Sequence, residues 1–184
     1  IKKQFASPAM MGKNGITVSR WIDGVLENNE LIDQDSNLRG VFYWGHAPNS
    51  QTRGLDMKRA MDKLDLLVVV DPYPSATAAM AAMPGKAEDL NPNRAVYLLP
   101  AATQFETSGS CTASNRSIQW REKVIEPLWE SRSDHMIMHQ LAEKLGFAKE
   151  LSKNYKMQKV GGMDEPMPED ILREINKCVW TIGY

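Results

Sequence analysis

The sequence predicts an α/β fold on a mainly parallel sheet of about three or four strands, with helices on both faces. Three observations predict it. "DLLVVVD", ending at Asp71, is an unbroken apolar run, as expected of a strand covered on both sides. "GVFYWG" and "RAVYLLP" are two further short β-branched and aromatic runs bounded by turn residues. Between the first two strands lies "LDMKRAMDKL", which reads as a helix with Leu55, Met57, Ala60, Met61 and Leu64 along one stripe. Strand, loop, helix and strand within about thirty residues make a βαβ unit with an expected right-handed crossover.

The remaining elements follow in order. "NGITVSRWIDGVLENNE" spaces Ile16, Trp21, Ile22 and Val25 as a helix, and "QDSNLRG" is a loop. "HAPNSQTRG" is a loop of turn formers after the first strand. "SATAAMAAM" predicts a short helix from near Ser75, and "PGKAEDLNPN" a polar loop before the third strand, which Pro100 ends. "AATQFETSGSCTASNR" has no clear period and reads as a functional or irregular loop. "SDHMIMHQLAEKLG" predicts a helix with Ser133 or Asp134 as N-cap and Gly146 as its stop. "MDEPMPEDILREINKCVW" predicts a last helix, opened by Pro168 with acidic residues nearby. The expected organisation is an N-terminal helical segment at 1–37, an α/β domain at 38–148 and an extension at 149–184. The absence of an initiating Met and the apolar ending "CVWTIGY" raise the expectation of a piece cut from a longer chain.

Composition narrows the function classes. The chain has 184 residues, 42% hydrophobic and 24% charged, with a formal net charge of −1. That balance gives no electrostatic case for nucleic acid or an anionic membrane. No apolar run approaches the roughly 20 residues that span a bilayer, so direct membrane insertion is not expected. "IKKQFASPAM" lacks the apolar centre of a signal peptide. Cys111 and Cys178 are too few and too far apart for a disulfide framework or a cysteine metal cluster.

Ligands of open α/β sheets bind outside the carboxyl ends of the strands. Three places fall there: the Gly45-His46-Ala47 loop, Asp71, and the stretch after Pro100. Asp71, when ionised, is a pure acceptor for purine N–H groups or ribose hydroxyls; equally, it can cap the turn that follows. Thr103, Thr107, Ser108, Ser110, Thr112, Ser114 and Asn115 surround Gly109 with short donors and acceptors, suited to phosphate or pterin edges or simply to a surface loop. His135 and His139 have the i, i+4 spacing of a zinc pair. Met136 stands where a metalloprotease needs Glu, though, and no third ligand is near. Cys111 has no His or Asp companion and reads as an incidental or packed thiol. These residues by themselves reach a small-ligand site at strand ends; they assign no catalytic residue and no metal ligand.

"GVFYWGHAPNS", "MDKLDLLVVVDPYPSATAAM" and "VYLLPAATQFETSGSCTASNRSIQWREKVIEPLWESRSD" stand in an order and spacing that resembles the catalytic subunit of molybdenum- or tungsten-dependent formate dehydrogenases of the DMSO reductase family. The resemblance runs from about Gly40 to Phe147 and extends through "EDILREINKCVWTIGY". It implies a Rossmann-like three-layer domain gripping a bis(molybdopterin guanine dinucleotide) cofactor, with a 4Fe-4S cluster elsewhere in the parent enzyme. In such enzymes a Gly-x-Asn/Asp-Pro loop follows the first strand. Here it is Gly45-His46-Ala47-Pro48, so Ala47 leaves only backbone contact. A polar residue and Asp end the second strand and read the guanine; Val70 and Asp71 stand there. A Glu-Lys-Glu-Gly motif follows the third, matched by Glu106-Thr107-Ser108-Gly109, so Thr107 takes the place of a cofactor-contacting Lys. Asp134 of "SRSD" matches a further contact. The implied partners are the remaining domains of the catalytic subunit and an iron–sulfur electron-transfer subunit. The implied compartment is the bacterial periplasm, with the cytoplasm as alternative. The implied reaction is formate oxidation to carbon dioxide, with this piece inactive alone and nitrate reductase a sister possibility. A reading from a different class is a non-enzymatic interaction module in which Trp21, Trp120, Trp129 and Trp180 face a partner.

Overall fold

The computed structural model describes residues 16–18, 20–27, 36–46, 53–74 and 93–178. The chain divides between Pro100 and Ala101 into two compact units. That division falls inside the 38–148 span that the sequence treats as one domain.

The first unit contains α1 (Trp21–Leu26), β1 (Gly40–Trp44), α2 (Gly54–Lys63), β2 (Leu66–Asp71) and β3 (Ala95–Pro100). The strands form one three-stranded sheet in the order β1-β2-β3, with both pairings parallel. Parallel neighbours need a crossover, and α2 lies in the one between β1 and β2. This is the α/β, Rossmann-like arrangement. Central β2 is buried on both faces, Leu67 and Val69 on one and Val68 and Val70 on the other, which is why its sequence is continuous rather than alternating. One core joins Trp21, Ile22 and Val25 of α1 and Met57, Ala60 and Met61 of α2 to Tyr43, Leu64, Leu67 and Val69. Fully burying side chains of this size contributes about 1.5–3 kcal/mol each. Leu55 departs from the expected stripe and is 86% exposed. Two positions before Met57 it points some 200° around the helix, away from the sheet. The helix expected from Ser75 lies outside the described residues.

Two buried carboxylates tie this unit together. Asp62, 1% exposed, pairs with Lys58 and, at 2.8 Å, with Arg94, whose guanidinium also donates to the Met61 carbonyl at 3.2 Å. The end of α2 is thus fastened to the start of β3. Asp23 takes Arg20 at 3.1 Å and Arg53 at 2.5 Å, linking α1 to the residue that precedes α2.

The second unit holds an antiparallel pair, β4 (Gly109–Thr112) and β5 (Ile118–Arg121), then α3 (Asp134–Leu145) and α4 (Ala148–Leu151). A second antiparallel pair follows, β6 (Met157–Val160) and β7 (Met163–Pro166), and then α5 (Pro168–Cys178). The caps of α3 are those expected. Ser133 accepts the N–H of Met136 at 3.3 Å, and Gly146 stops the helix in the left-handed region at φ 84°. Pro168 opens α5, also as expected. Both hairpins correct the sequence reading. "SGSCTASNR" is not a periodless loop but β4 and the turn into β5, and β6–β7 close on Gly161-Gly162, both at positive φ. Among the described residues, no helix is long and apolar enough to cross a membrane.

Candidate functional site

Parallel pairing in register sets the carboxyl ends of the strands level: Trp44 opposite Val70, Val70 opposite Leu99, and Asp71 opposite Pro100. The β1 exit and Asp71 therefore share one edge of the sheet, where ligands of such sheets bind. Gly45 leaves β1 at φ 57°, a conformation that costs a side-chain-bearing residue energy. Its N–H donates to the carbonyl of Val70 at 2.9 Å. Among the described residues, a Cβ added at Gly45 would find nothing within 4 Å, so none of them blocks close approach to the backbone there.

His46 is half-buried, its ring stacked on Tyr43 with centroids 6.2 Å apart and an 18° interplanar angle. Tyr43 meets Trp21 edge-on at 5.7 Å. Among the described residues its buried hydroxyl has no hydrogen-bond partner, and burial pushes the phenol pKa well above its ordinary value. Ala47 lies outside the described residues.

Asp71 serves the turn reading and leaves room for the other. Its Oδ1 accepts the N–H of Tyr73 at 3.0 Å, the pattern of an Asx turn. Among the described residues, no group of the chain meets Oδ2. Val70 is 1% exposed and its carbonyl already takes Gly45, so its part is to anchor the turn.

Thr107 and Asp134 belong to the second unit. Thr107 is half-buried beside a polar cavity of about 70 Å³ that Glu106, Ser108, Lys123, Gln158, Val160 and Glu165 also line. Its hydroxyl donates to the Ser108 carbonyl at 3.3 Å. The loop is held by Glu106, which the sequence placed in the Glu106-Thr107-Ser108-Gly109 match without a role of its own. Glu106, 4% exposed, accepts the N–H of Thr103 at 2.7 Å and that of Leu128 at 2.8 Å. The Thr103 bond draws the Glu106 pKa down; burial opposes it and loses. No local signal marks Glu106, because one of its partners is 22 residues away.

Asp134 is exposed on the first turn of α3, while Ser133 is the cap. Ser133 also donates to Glu165, which lies 3.0 Å from His135 and takes Gln158 at 2.7 Å. Burial pushes the Glu165 pKa up, but the bonds from His135 and Ser133 outweigh it and hold the carboxyl below its usual range.

The histidine pair does not converge. His135 faces Glu165, whereas His139 is 5% exposed, its Nδ1 without a partner among the described residues and its Nε2 3.7 Å from Glu143. Among the described residues, no group of three or more His, Cys, Asp or Glu could hold a metal ion. Cys111 is exposed on β4. Of the tryptophans assigned to a partner-facing surface, Trp21 is in the core, Trp120 is half-buried and Trp129 is 97% exposed; Trp180 lies outside the described residues.

Residues 9–144 match the family model for molybdopterin oxidoreductase. The chain belongs to that family. Among curated relatives of this molybdopterin oxidoreductase chain is the F420-dependent formate dehydrogenase subunit alpha of Methanocaldococcus jannaschii, 31% identical over 80% of this chain and 18% of its own length. Another is the trimethylamine-N-oxide reductase of Vibrio cholerae, 27% identical over 82% of this chain and 17% of its own length. The chain thus spans less than a fifth of either relative. Sequence similarity to formate dehydrogenases agrees with the resemblance carried by the strand-end motifs.

Proposed function

We propose that this chain is part of the catalytic subunit of a molybdenum- or tungsten-dependent formate dehydrogenase and holds the guanine end of a bis(molybdopterin guanine dinucleotide) cofactor. The carrying observation is Asp71, a carboxylate at the carboxyl end of the central parallel strand with Oδ2 unengaged by the described chain. The residues present fit the nucleotide portion of such a group. None of the described residues crowds Gly45, which leaves its backbone approachable from them, and Asp71 offers the acceptor that a guanine edge requires.

Asp71 receives the base through charge-assisted bonds worth about 1.5–3 kcal/mol each. Gly45, His46 and Ala47 contribute backbone contact, and Val70 keeps Gly45 in place. In the second unit, Thr107 offers a hydroxyl, and Asp134 an acceptor on the first turn of α3. Bound there, the cofactor would supply the chemistry of two-electron formate oxidation to carbon dioxide, with a 4Fe-4S cluster elsewhere in the enzyme as the expected electron acceptor. The chain alone is inactive. Its partners are the remaining domains of the catalytic subunit and an iron–sulfur subunit, in a periplasmic enzyme.

The 31% identity to a formate dehydrogenase subunit favours this substrate. The Vibrio cholerae relative supports the second reading, a sister oxidoreductase that reduces an oxide. Titration of the chain with GMP, followed by NMR, is expected to shift Asp71 and its neighbours; a folded sample silent at Asp71 overturns the nucleotide role. Dye-linked assays of the full enzyme carrying this chain decide the reaction: formate oxidation supports the first reading, and trimethylamine-N-oxide reduction without it supports the second. Turnover of formate by the cofactor-loaded chain alone would overturn its inactivity.

A further inference from the structure

Tyr73 stands two residues beyond Asp71 and is 69% exposed, although it directly follows the most buried strand of the first unit. Its backbone is stiffly anchored. The Tyr73 N–H is bonded to Asp71 Oδ1 at 3.0 Å, and Pro72 and Pro74 fix the dihedrals on either side. Among the described residues, its ring packs against no other aromatic ring. An acceptor-only carboxylate and an exposed aromatic side chain thus stand two residues apart on one turn that holds two prolines.

These are the two chemistries that recognise a planar base, one for its N–H edge and one for its π-face. We propose that Tyr73 is the stacking platform for a purine whose edge Asp71 receives. The inference rests on the reading of Asp71 as a nucleotide contact and divides the work between the two residues. Stacking is indifferent to the base, because every base has a π-face, so Tyr73 supplies affinity. Guanine presents two adjacent N–H donors to a carboxylate, whereas adenine presents a ring acceptor that repels it, so Asp71 supplies selectivity.

The test is calorimetric titration of the chain with GMP and with AMP, for the wild type and for Tyr73→Ala, Tyr73→Leu, Tyr73→Phe and Asp71→Asn, with circular dichroism to confirm folding. The wild type is expected to prefer GMP. Tyr73→Ala and Tyr73→Leu should weaken both nucleotides about ten-fold and leave their ratio unchanged, while Tyr73→Phe stays within about two-fold of wild type. Asp71→Asn keeps an acceptor for the Tyr73 N–H and should collapse the ratio. If Asp71→Asn collapses the ratio but both Tyr73→Ala and Tyr73→Leu bind like wild type, Tyr73 is no platform and the reading of Asp71 stands. A loss in Tyr73→Phe as large as in Tyr73→Ala assigns the effect to the hydroxyl and also overturns stacking. A wild type that binds no GMP, or binds it equally well after Asp71→Asn, overturns both.

Discussion

The N–H of Gly45 donates to the carbonyl of Val70 at 2.9 Å, fastening the turn after β1 to the residue before Asp71. Two strands thereby leave the sheet at the same level, and the open backbone of one sits beside the carboxylate of the other. The bond requires Gly45 at φ 57°. Gly45→Ala should therefore cost about 1–2 kcal/mol through backbone strain, since no described residue lies within 4 Å of the added Cβ. Urea unfolding measures this; an unchanged midpoint would mean that the turn relaxes without cost.

Arg94 is the second test of how the first unit is held. It lies 2.8 Å from Asp62, and removing it leaves a carboxylate of 1% exposure with Lys58 alone. Arg94→Met should destabilise the chain by about 3 kcal/mol, the low end for breaking a buried pair. Replacing both partners, as Asp62→Leu with Arg94→Met, should cost less than the single change, because no uncompensated charge remains. Equal losses would show that Lys58 neutralises Asp62 by itself.

The acid limb of stability follows from several depressed carboxylates, Asp23 and Glu106 among them. Arg53 above all holds Asp23 below its ordinary pKa, and the Thr103 N–H does the same for Glu106. A folded-state pKa below the unfolded value means that the unfolded chain binds protons first as pH falls. Their stabilisation is therefore complete above about pH 5, and it is lost as pH drops through the unfolded and then the folded values. Glu106→Gln should flatten the fall in unfolding free energy between about pH 5 and 3, and weaken the chain at pH 7 by about 1–3 kcal/mol. A slope identical to wild type would remove Glu106 as a contributor.

Asp71→Asn separates the two uses of that side chain. The amide oxygen still accepts the Tyr73 N–H, so thermal stability should stay within about 0.5 kcal/mol of wild type. GMP affinity should fall about ten-fold, as expected when a charge-assisted bond becomes a neutral one. A large drop in stability with unaltered binding would reduce Asp71 to a turn cap.

The hairpins show where sequence pattern stops. Gly161-Gly162 between "KV" and "MDEP" is a legible two-residue turn, overlooked because the flanking strands lack apolar alternation. The β4–β5 hairpin is less legible still. Ser110, Cys111 and Thr112 are all exposed, so backbone pairing rather than burial holds β4, and its side chains carry no period. The role of Glu106, a residue the sequence places in a motif, escapes local pattern for a related reason: one of its two donors, the Leu128 N–H, lies 22 residues away.

Local sequence determined the three parallel strands, the caps of α3 and the arrival of Asp71 at a strand end. Those features follow from hydrophobic period, proline geometry and short-range capping, all encoded within a few neighbouring residues. Tertiary structure alone decided that no described group meets the second oxygen of Asp71, that Val70 anchors Gly45, and that Tyr73 stays exposed. Which donors reach a given acceptor depends on how distant segments are oriented in space, and no local period records that.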